Sequence, residues 1–430
     1  MAKRVAIIGA GPSGLATGRV LLANTDFDIV IYDSNPQVGG VWYYPDNEQP
    51  RENTAMYDAL ETNLSKQIMT FSGFPFPDDV PTFPNRKHVW EYLVRFYETF
   101  IKGQERILTQ LNCKVKCVEK IGDLWRVTHN DGKAVELFDY VVVANGHFEA
   151  THVPEDIPGG DEWRNAQPGS LLHSKDFHSS ERFRDLRVVV VGNGSSGSDI
   201  ANQISSVAQC VYHSVKEVNK TNWDENPVVT AVPKISKLSV HDNQTVTLEN
   251  GEQLRNIDRI IWATGYMYYL PFLGSYQEQI LGTDKTSNDP VSRLHGLWEQ
   301  LVFVQDPTLA FLLLCKNVVP FPLAESQACT VAKVFSGAIE VPSIDFSARA
   351  VQEPKDYHSL VTPRDIEYCR ELQAILDSCG GQDDEARPRL WDDQLAALRY
   401  RTGLAKKERT KILIHRALEL RDKGEAYYLE

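Results

Sequence analysis

The chain has 430 residues, of which 42% are hydrophobic and 24% are charged, a composition typical of a soluble globular protein with two or three domains. Its formal net charge is −13 and its basic residues are dispersed, which argues against nucleic acid and anionic membrane surfaces as partners. Apolar runs are too short to predict a membrane-spanning helix. None of the seven cysteines forms a Cys-x-x-Cys pair, which predicts buried free thiols in a reducing compartment and argues against a disulfide reductase.

The first glycine-rich motif follows a short apolar stretch near the start of the chain. Residues 4–8 predict a β-strand, and the glycines after it allow a tight turn, close approach of a pyrophosphate and close packing of a helix. The next predicted strand, 28–32, ends at Asp33, whose carboxylate suits the ribose hydroxyls of an adenosine and would repel a 2′-phosphate. This motif therefore predicts a site for FAD or NAD. Its residues are Gly9, Gly11, Pro12, Ser13, Gly14 and Asp33.

A second motif of the same kind follows the apolar stretch 188–191. It again predicts a strand, a tight turn and a helix N-terminus that faces a pyrophosphate. The next predicted strand leads to Ser214 and Lys216 instead of an acid, which favours the 2′-phosphate of NADPH, although Glu217 weakens this case. The alternative is that Ser214 and Lys216 belong to an ordinary solvated strand end. The predicted NADPH-binding residues are Gly192, Gly194, Ser195, Ser196, Gly197, Ser214 and Lys216.

Two such motifs in one chain predict an α/β fold with two Rossmann-like dinucleotide-binding domains, the NADPH domain being inserted into the FAD domain. A chain that holds two dinucleotides usually passes electrons from one to the other. We expect the FAD domain at residues 1–160 and 270–430, with a helical C-terminal tail, and the NADPH domain at 161–269. A strand near the end of the inserted domain runs into Thr264 and Gly265, small residues that we expect close to the cofactor of the first domain.

Further short motifs accompany the two glycine-rich motifs along the chain. They are Gly39-Gly40-Val41-Trp42, Thr62-Asn63-Leu64-Ser65-Lys66, Phe74-Pro75-Phe76-Pro77, Asn145-Gly146-His147, Ser198-Asp199-Ile200-Ala201, Ala263-Thr264-Gly265-Tyr266 and Glu325-Ser326-Gln327-Ala328. Together these motifs resemble, in order and over most of the chain, those of the flavin-containing monooxygenases. The segment 167–177 is similar to the family signature Phe-x-Gly-x3-His-x3-Phe/Tyr, with Gly169, His173 and Phe177 in place and Gln167 where an aromatic residue is usual. Phe177 favours the amine and sulfur oxidisers over the Baeyer–Villiger relatives, and we expect His173 to be structural.

The resemblance implies a reaction cycle with two cofactors, FAD and NADPH. NADPH reduces FAD, the reduced flavin captures O2 as a C4a-hydroperoxide, and bound NADP+ protects this species until an amine nitrogen or a sulfur atom takes the distal oxygen. The expected enzyme is therefore similar to N,N-dimethylaniline monooxygenase and acts on a small-molecule amine or sulfur substrate. The alternatives are a Baeyer–Villiger monooxygenase, a dedicated N-hydroxylase of a biosynthetic pathway and, from another class, an NADPH oxidase-like or redox-responsive flavoprotein without oxygenation.

The resemblance also implies residues beside the flavin. Asn63 is the expected catalytic residue, because the Asn of this motif lies beside the flavin ring in the family and a neutral amide forms hydrogen bonds without protonating an intermediate. The alternative for Asn63 is the cap of a loop. Gly40, Val41, Trp42 and Gln327 are expected to bind cofactor, although Trp42 suits the core equally well. We expect a cytoplasmic enzyme without a metal ion, and a homodimer as its assembly.

Overall fold

The computed structural model describes residues 2–45, 54–221, 223–343, 356–381 and 384–429. These residues form two compact units, each assembled from three stretches of the chain. The first unit comprises Met1–Asn47, Leu64–Ala150 and Met267–Thr402, in so far as these ranges are described. The second unit comprises the described parts of Glu48–Asn63, Thr151–Tyr266 and Gly403–Glu430.

The first unit is built on a seven-stranded sheet that is parallel at its centre. Its strands are β1 (Arg4–Ile8), β2 (Asp28–Tyr32), β3 (Ile107–Gln110), β7 (Tyr140–Val143), β18 (Leu297–Trp298), β19 (Val302–Phe303) and β20 (Leu309–Phe311). Their order is β18-β19-β20-β7-β1-β2-β3, with parallel pairing from β20 to β3 and antiparallel pairing from β18 to β20. The inner strand β1 has four apolar residues after Arg4, and these are buried on both faces, as those of parallel strands generally are.

Long helices cover one face of this sheet, and a small antiparallel sheet and the short helix Gln277–Leu281 pack on the other. The helices of the first unit are α1 (Pro12–Asn24), α2 (Arg86–Phe100), α5 (Gln277–Leu281), α6 (Pro320–Phe335) and α7 (Arg364–Ser378). The small sheet consists of β4 (Val115–Ile121), β5 (Leu124–His129) and β6 (Ala134–Phe138). On β1, Val5 and Ile7 pack with the α1 and α6 core, whereas Ala6 and Ile8 pack with Trp125 of β5, which is the alternation that a strand imposes.

The second unit is built on a five-stranded parallel sheet in the order β12-β11-β10-β16-β9. Its strands are β9 (Leu171–His173), β10 (Arg187–Val191), β11 (Cys210–Ser214), β12 (Val229–Val232) and β16 (Arg259–Trp262). Its helices are α3 (Gly160–Ala166) and α4 (Ser195–Ser205), and an antiparallel sheet is formed by β13 (Ile235–Ser239), β14 (Thr245–Leu248) and β15 (Gln253–Leu254). The short strands β8 (Ala150–Thr151) and β17 (Tyr266–Met267) lie where the chain passes between the units.

The longest helix, α8 (Asp393–Lys423), begins in the first unit and ends in the second. It is rich in Lys, Arg and Glu, and within the described ranges no helix is both long enough and apolar enough to cross a membrane. The mixed α/β architecture with two Rossmann-like parallel sheets agrees with the predicted fold class.

The units differ from the predicted domain limits by a few residues at the two connections, 151–160 and 267–269, and by two further segments. Residues 54–63 and 403–429, which we expected in the FAD domain, belong to the second unit. Ala59 packs with Leu420 of α8 in a small apolar cluster, and its carbonyl accepts a hydrogen bond from Gln203 of α4 (3.0 Å). Neither segment carries a glycine motif, so these contacts could not be expected from the sequence pattern.

Candidate functional site

The first glycine motif forms the turn between β1 and α1. Gly9 has a φ of +112°, and an added Cβ would lie under 3.0 Å from the carbonyl oxygen of Ala144, the residue after β7. This position therefore requires glycine. An added Cβ at Gly14 would also lie under 3.0 Å from the carbonyl oxygen of Gly9. Gly11 precedes α1, Pro12 and Ser13 begin it, and none of the described side chains caps this helix N-terminus. Its backbone N–H groups therefore suit an anion such as a pyrophosphate.

A second glycine pair contacts the first motif. Gly40 has a φ of +58°, and an added Cβ would lie 2.8 Å from Cα of Gly11, so the two backbones are in direct contact. Gly40, Val41 and Trp42 form one turn of 3₁₀ helix, and all three are partly exposed. Trp42 also packs against the core of the first unit. Both interpretations of Trp42, cofactor contact and core residue, are therefore compatible with its place.

Asp33 follows β2 directly, beside the glycine turn. Its carboxylate accepts hydrogen bonds from the backbone N–H groups of Ala10 (2.6 Å) and Asn35 (2.8 Å), and the residue is 8% exposed. Burial raises the pKa of Asp33, and the two hydrogen bonds act in the opposite direction. Because each carboxylate oxygen accepts more than one hydrogen bond, the ribose hydroxyls of an adenosine remain suitable partners.

The second glycine motif repeats the geometry of the first between β10 and α4. Gly192 also has a φ of +112°, and added Cβ atoms at Gly192 and Gly197 would lie under 3.0 Å from backbone carbonyl oxygens. Gly194 precedes α4, whose N-terminus is not capped by any side chain in the described part of the chain. Ser195 is exposed and Ser196 is partly exposed in the first turn of this helix. The loop therefore also suits a pyrophosphate.

The residue that corresponds to Asp33 in the second unit is Val215. Gly9 donates its N–H to the carbonyl of Tyr32 (2.7 Å), and Gly192 donates its N–H to the carbonyl of Ser214 (2.9 Å). The residues that follow these two partners are Asp33 and Val215, so the second connection is one residue shorter than the first. An apolar side chain thus stands where an acid would bind a ribose 2′-hydroxyl, which is compatible with a 2′-phosphate.

The two residues predicted to bind this phosphate lie in different surroundings. Ser214 is buried, and its hydroxyl donates a hydrogen bond to the carbonyl of Pro233 (3.0 Å). Lys216 is exposed just beyond the strand. Contact of either residue with a 2′-phosphate stays a prediction, and the exposed ammonium group of Lys216 is the more suitable of the two.

A buried histidine lies under the second glycine turn, and the sequence motifs did not reveal it. Nε2 of His213 lies 2.9 Å from the carbonyl oxygen of Gly192, and Nδ1 accepts a hydrogen bond from Nε1–H of Trp223 (2.9 Å). Since Trp223 is a donor, the proton of the neutral ring is on Nε2 and is donated to Gly192. Burial lowers the pKa of His213. Ile31 occupies the corresponding position in the first unit.

Asn63 is exposed and ends the segment 54–63 of the second unit. Directly before it, the carbonyl of Thr62 accepts a hydrogen bond from Nζ of Lys406 (2.8 Å). The position of Asn63 therefore depends on α8, a helix that follows it by more than three hundred residues in the sequence. Its contact with the flavin stays a prediction.

The remaining predicted residues are engaged with protein groups. The hydroxyl of Thr264 donates to the carbonyl of His152, and the carbonyl of Gly265 lies 3.1 Å from Nε2 of His173. Nδ1 of His173 accepts from the backbone N–H of Lys175 (3.1 Å), so both ring nitrogens serve the local backbone, as expected for a structural histidine. The roles of Thr264 and Gly265 at a cofactor stay predictions.

Gln327 is fully buried in α6, and both ends of its side-chain amide are engaged. Its oxygen accepts a hydrogen bond from the backbone N–H of Leu313 (2.9 Å), and its nitrogen donates to the hydroxyl of Tyr368 (3.2 Å). Leu313 has a φ of +52°, which is uncommon for a residue other than glycine. Gln327 thus fixes an unusual backbone turn, and its predicted contact with FAD stays untested.

The two glycine turns fit two different dinucleotides. Each has a helix N-terminus for a pyrophosphate and glycines whose Cβ atoms would not fit, but only the first has a carboxylate at the end of the second strand. These features define the class of a flavoprotein that uses a nicotinamide nucleotide.

Comparison with known proteins identifies the family. The model of the flavin-binding monooxygenase-like family matches residues 2–223 and 221–362, and the chain belongs to this family. The resemblance seen in the sequence is thereby confirmed, and the cofactors are FAD and NADPH.

Three relatives illustrate the similarity. The chain is 40% identical to the thiol-specific monooxygenase of Saccharomyces cerevisiae, with 99% of this chain and 98% of that protein covered. It is 32% identical to the flavin-containing monooxygenase FMO GS-OX-like 4 of Arabidopsis thaliana, with 79% and 77% covered. It is also similar to the structure of S-allyl-L-cysteine S-oxygenase from Allium sativum, with a TM-score of 0.77, 26% identity, and 98% and 99% covered.

Proposed function

We propose that the chain is an NADPH- and O2-dependent flavin monooxygenase that oxygenates a soft nucleophile, and that this nucleophile is the sulfur atom of a small thiol or thioether. Two relatives that cover nearly the whole chain support the choice of sulfur, since they are named as a thiol-specific monooxygenase and an S-oxygenase. An amine nitrogen, as in an N,N-dimethylaniline monooxygenase-like reaction, is the alternative within this proposal.

One observation supports the proposal more than any other. Two glycine turns of the same geometry end in Asp33 in one case and in Val215 and Lys216 in the other. An acid suits an adenosine ribose, and its absence suits a ribose 2′-phosphate. One chain with both sites can accept electrons from NADPH and pass them to FAD.

The residues of this chain bind, orient and exclude water, whereas bound FAD supplies the activation of O2. The turns at Gly11 and Gly194 bind the two pyrophosphates through backbone N–H groups. Asn63 presents a neutral amide, which donates or accepts hydrogen bonds at the flavin or nicotinamide without giving up a proton. The C4a-hydroperoxyflavin and its protection by NADP+ are part of the proposal and rest on the family resemblance.

The test measures NADPH consumption, H2O2 release and oxygenated product with a simple thiol, a tertiary amine and a ketone. We expect the thiol to accelerate NADPH consumption with little H2O2 and to end as its disulfide, because the sulfenic acid formed first condenses with a second thiol and its ¹⁸O is lost as water. A thioether, which forms a stable sulfoxide, should instead retain one oxygen atom from ¹⁸O2. Oxygenation of the amine alone would move the assignment to nitrogen, and oxygenation of the ketone alone would favour Baeyer–Villiger chemistry. Stoichiometric H2O2 with all three would overturn oxygenation in favour of an oxidase or a redox-responsive flavoprotein.

A substitution of Asn63 tests the residue itself. We expect Asn63→Ala to keep FAD and NADPH oxidation but to release most of the consumed reducing equivalents as H2O2, because the amide no longer orients the reacting groups. The ratio of H2O2 to NADPH measures this effect. An unchanged ratio would make Asn63 a loop residue without a part in the reaction.

The proposal also includes the cellular location and the oligomeric state of the enzyme. A cytoplasmic location and a homodimer remain part of it, and they are checked by cell fractionation and by the mass measured in solution. A monomer in solution would remove the homodimer without affecting the proposed reaction.

A further inference from the structure

Two cations of α8 hold the residues that precede Asn63. Nζ of Lys406 lies 2.9 Å from Oε1 of Glu61 and donates a hydrogen bond to the carbonyl of Thr62 (2.8 Å). The guanidinium of Arg409 donates to Oε2 of Glu61 from Nε (3.0 Å) and from its terminal nitrogen (2.7 Å). The side chain of Glu61 is only 6% exposed, so a buried carboxylate is neutralised by two cations from one helix.

The same segment is attached to α4 a few residues earlier. The hydroxyl of Tyr57 donates a hydrogen bond to the carboxylate of Asp199, and Gln203 donates to that carboxylate (2.9 Å) and to the carbonyl of Ala59 (3.0 Å). Asp199 and Gln203 lie on the helix whose N-terminus belongs to the second glycine turn. The segment 54–62 is thus fixed at one end by α4 and at the other by α8.

Lys406 differs from Arg409 in one contact that matters for Asn63. Within the described residues the guanidinium of Arg409 donates hydrogen bonds to the carboxylate of Glu61, whereas Lys406 also donates to the backbone carbonyl of Thr62. Since Asn63 is exposed, the backbone before it contributes directly to where its amide lies. The charge-assisted hydrogen bond of Lys406 acts on the backbone directly, whereas a contact with the carboxylate acts on it through the side chain of Glu61.

We propose that Lys406 is a positioning residue for Asn63: its ammonium group joins Glu61 and the Thr62 carbonyl, and so holds the Asn63 amide where oxygen transfer requires it. This inference rests on the proposed function. Its consequence is that the middle of α8 controls how much NADPH is lost as H2O2. A displacement of about 1 Å at a reacting group can cost up to about 10²-fold in rate, so small movements are sufficient.

The experiment compares Lys406→Met with Lys411→Met in the full-length, FAD-loaded enzyme. Methionine keeps the apolar stem of Lys406 and removes its ammonium group, while Arg409 still neutralises Glu61. Lys411 lies on the same helix, is exposed and pairs with Glu408, so its substitution is the matched control. We expect Lys406→Met to raise the H2O2 fraction of consumed NADPH by about threefold or more. The FAD content and the KM for NADPH should stay unchanged, and Lys411→Met should resemble the parent enzyme.

A double variant separates positioning from a general structural role. If Lys406 acts through Asn63, then Lys406→Met combined with Asn63→Ala leaks no more H2O2 than Asn63→Ala alone, because the two changes remove the same interaction. Additive leaks, or a leak in Lys406→Met that is matched by loss of FAD, would overturn the inference. Lys406→Arg, which keeps the charge, should restore coupling in part.

The failure of this inference can be distinguished from the failure of the proposed function. If Asn63→Ala remains coupled, the proposed role of Asn63 is wrong and the inference fails with it. If Asn63→Ala releases more H2O2 per NADPH than the parent enzyme and Lys406→Met does not, only the positioning role of Lys406 is wrong. If Lys406→Met does not fold, Lys406→Gln replaces it, because its amide keeps a donor for the Thr62 carbonyl. We expect Lys406→Gln to release less H2O2 than Asn63→Ala and more than Lys411→Met. Release equal to that of Lys411→Met would contradict the inference.

Discussion

The two glycine turns have the same backbone but different surroundings. Gly9 and Gly192 share a φ of +112°. At the next glycine they differ, because an added Cβ at Gly11 would meet Cα of Gly40 at 3.5 Å, whereas no described atom would lie within 4 Å of one at Gly194. The backbone of Gly40 thus lies against the first turn, whereas none of the described residues lies against the second in this way. We expect an enclosed turn to retain its dinucleotide and an open turn to exchange it, as a resident flavin and a consumed NADPH require.

The turns also differ in what lies beneath and beside them. Asp33 accepts backbone hydrogen bonds at the first turn, and the apolar Val215 takes its place at the second. Ile31 lies in the first sheet where His213 lies in the second. The phosphate cradle is therefore common to both units, whereas the groups at the ends of the second strands distinguish the cofactors.

Alanine at the middle glycine of each turn should produce the largest contrast. We expect Gly11→Ala to fold, because its Cβ would make an ordinary contact, but to lose FAD and become colourless, because the methyl group occupies the approach of the pyrophosphate. Gly194→Ala should remain yellow and raise the KM for NADPH by about tenfold, equivalent to about 1.4 kcal/mol of binding. Absorbance of bound flavin and steady-state kinetics measure the two effects.

The control for this pair is Gly403→Ala on α8, where an added Cβ meets no described atom within 4 Å. It should leave both the flavin content and the KM for NADPH unchanged. A yellow, active Gly11→Ala enzyme would contradict the assignment of the first turn to FAD. Loss of FAD from Gly194→Ala would contradict the assignment of the second turn to NADPH.

Removal of the cation beside the second turn should have a smaller effect. We expect Lys216→Ala to raise the KM for NADPH by about fivefold and to leave that for NADH unchanged, since an exposed charge pair contributes on the order of 1 kcal/mol. Lys220→Ala is the matched control, because Lys220 is exposed nearby and pairs with Glu217. Equal changes for both nucleotides would exclude Lys216 as a ligand of the 2′-phosphate.

The features that follow from local residue order could be predicted from the sequence. The strand, turn and helix around Gly9 and Gly192 depend on neighbouring residues, and Asp33 ends a strand whose limits follow from its apolar residues. These patterns suffice for the fold class and for both cofactors.

The features that depend on register or on distant contacts could not be predicted. The connection to β11 is one residue shorter than that to β2, so Val215 and not Ser214 takes the place of the acid. The contact of Lys406 with Thr62 joins residues that are far apart in sequence. A pattern of residue types in one sequence carries no information on such pairs.

The smallest expected effect is a pH dependence of Tm and of the KM for NADPH, caused by a group at the second turn that has no counterpart at the first. Neutral His213 donates to Gly192 and accepts from Trp223, and burial lowers its pKa below the ordinary value of 6.5. In the unfolded chain the histidine takes up a proton near pH 6.5, whereas in the folded protein it does so only at lower pH. The contribution of His213 to the free energy of unfolding is therefore retained above pH 6.5 and declines as the pH falls below that value. Protonation would also set Nδ1–H against the N–H of Trp223 and disturb the glycine turn.

His213→Gln tests this difference between the turns, because its amide can donate to Gly192 and accept from Trp223 but cannot take up a proton. We expect the Tm of the parent enzyme to fall and its KM for NADPH to rise as the pH falls from 7 to about 5.5. Both changes should be smaller in His213→Gln. Any dependence that persists belongs to other buried groups, such as Asp199 of α4, whose pKa burial raises to about 6, and His173, whose pKa burial lowers. FAD content serves as the internal control, since Ile31 at the corresponding position does not titrate. If the pH dependence of the KM for NADPH is identical in both enzymes, His213 does not stabilise the glycine turn that binds NADPH. The difference between the two turns then lies in Asp33 and Val215 and not in the residues beneath them.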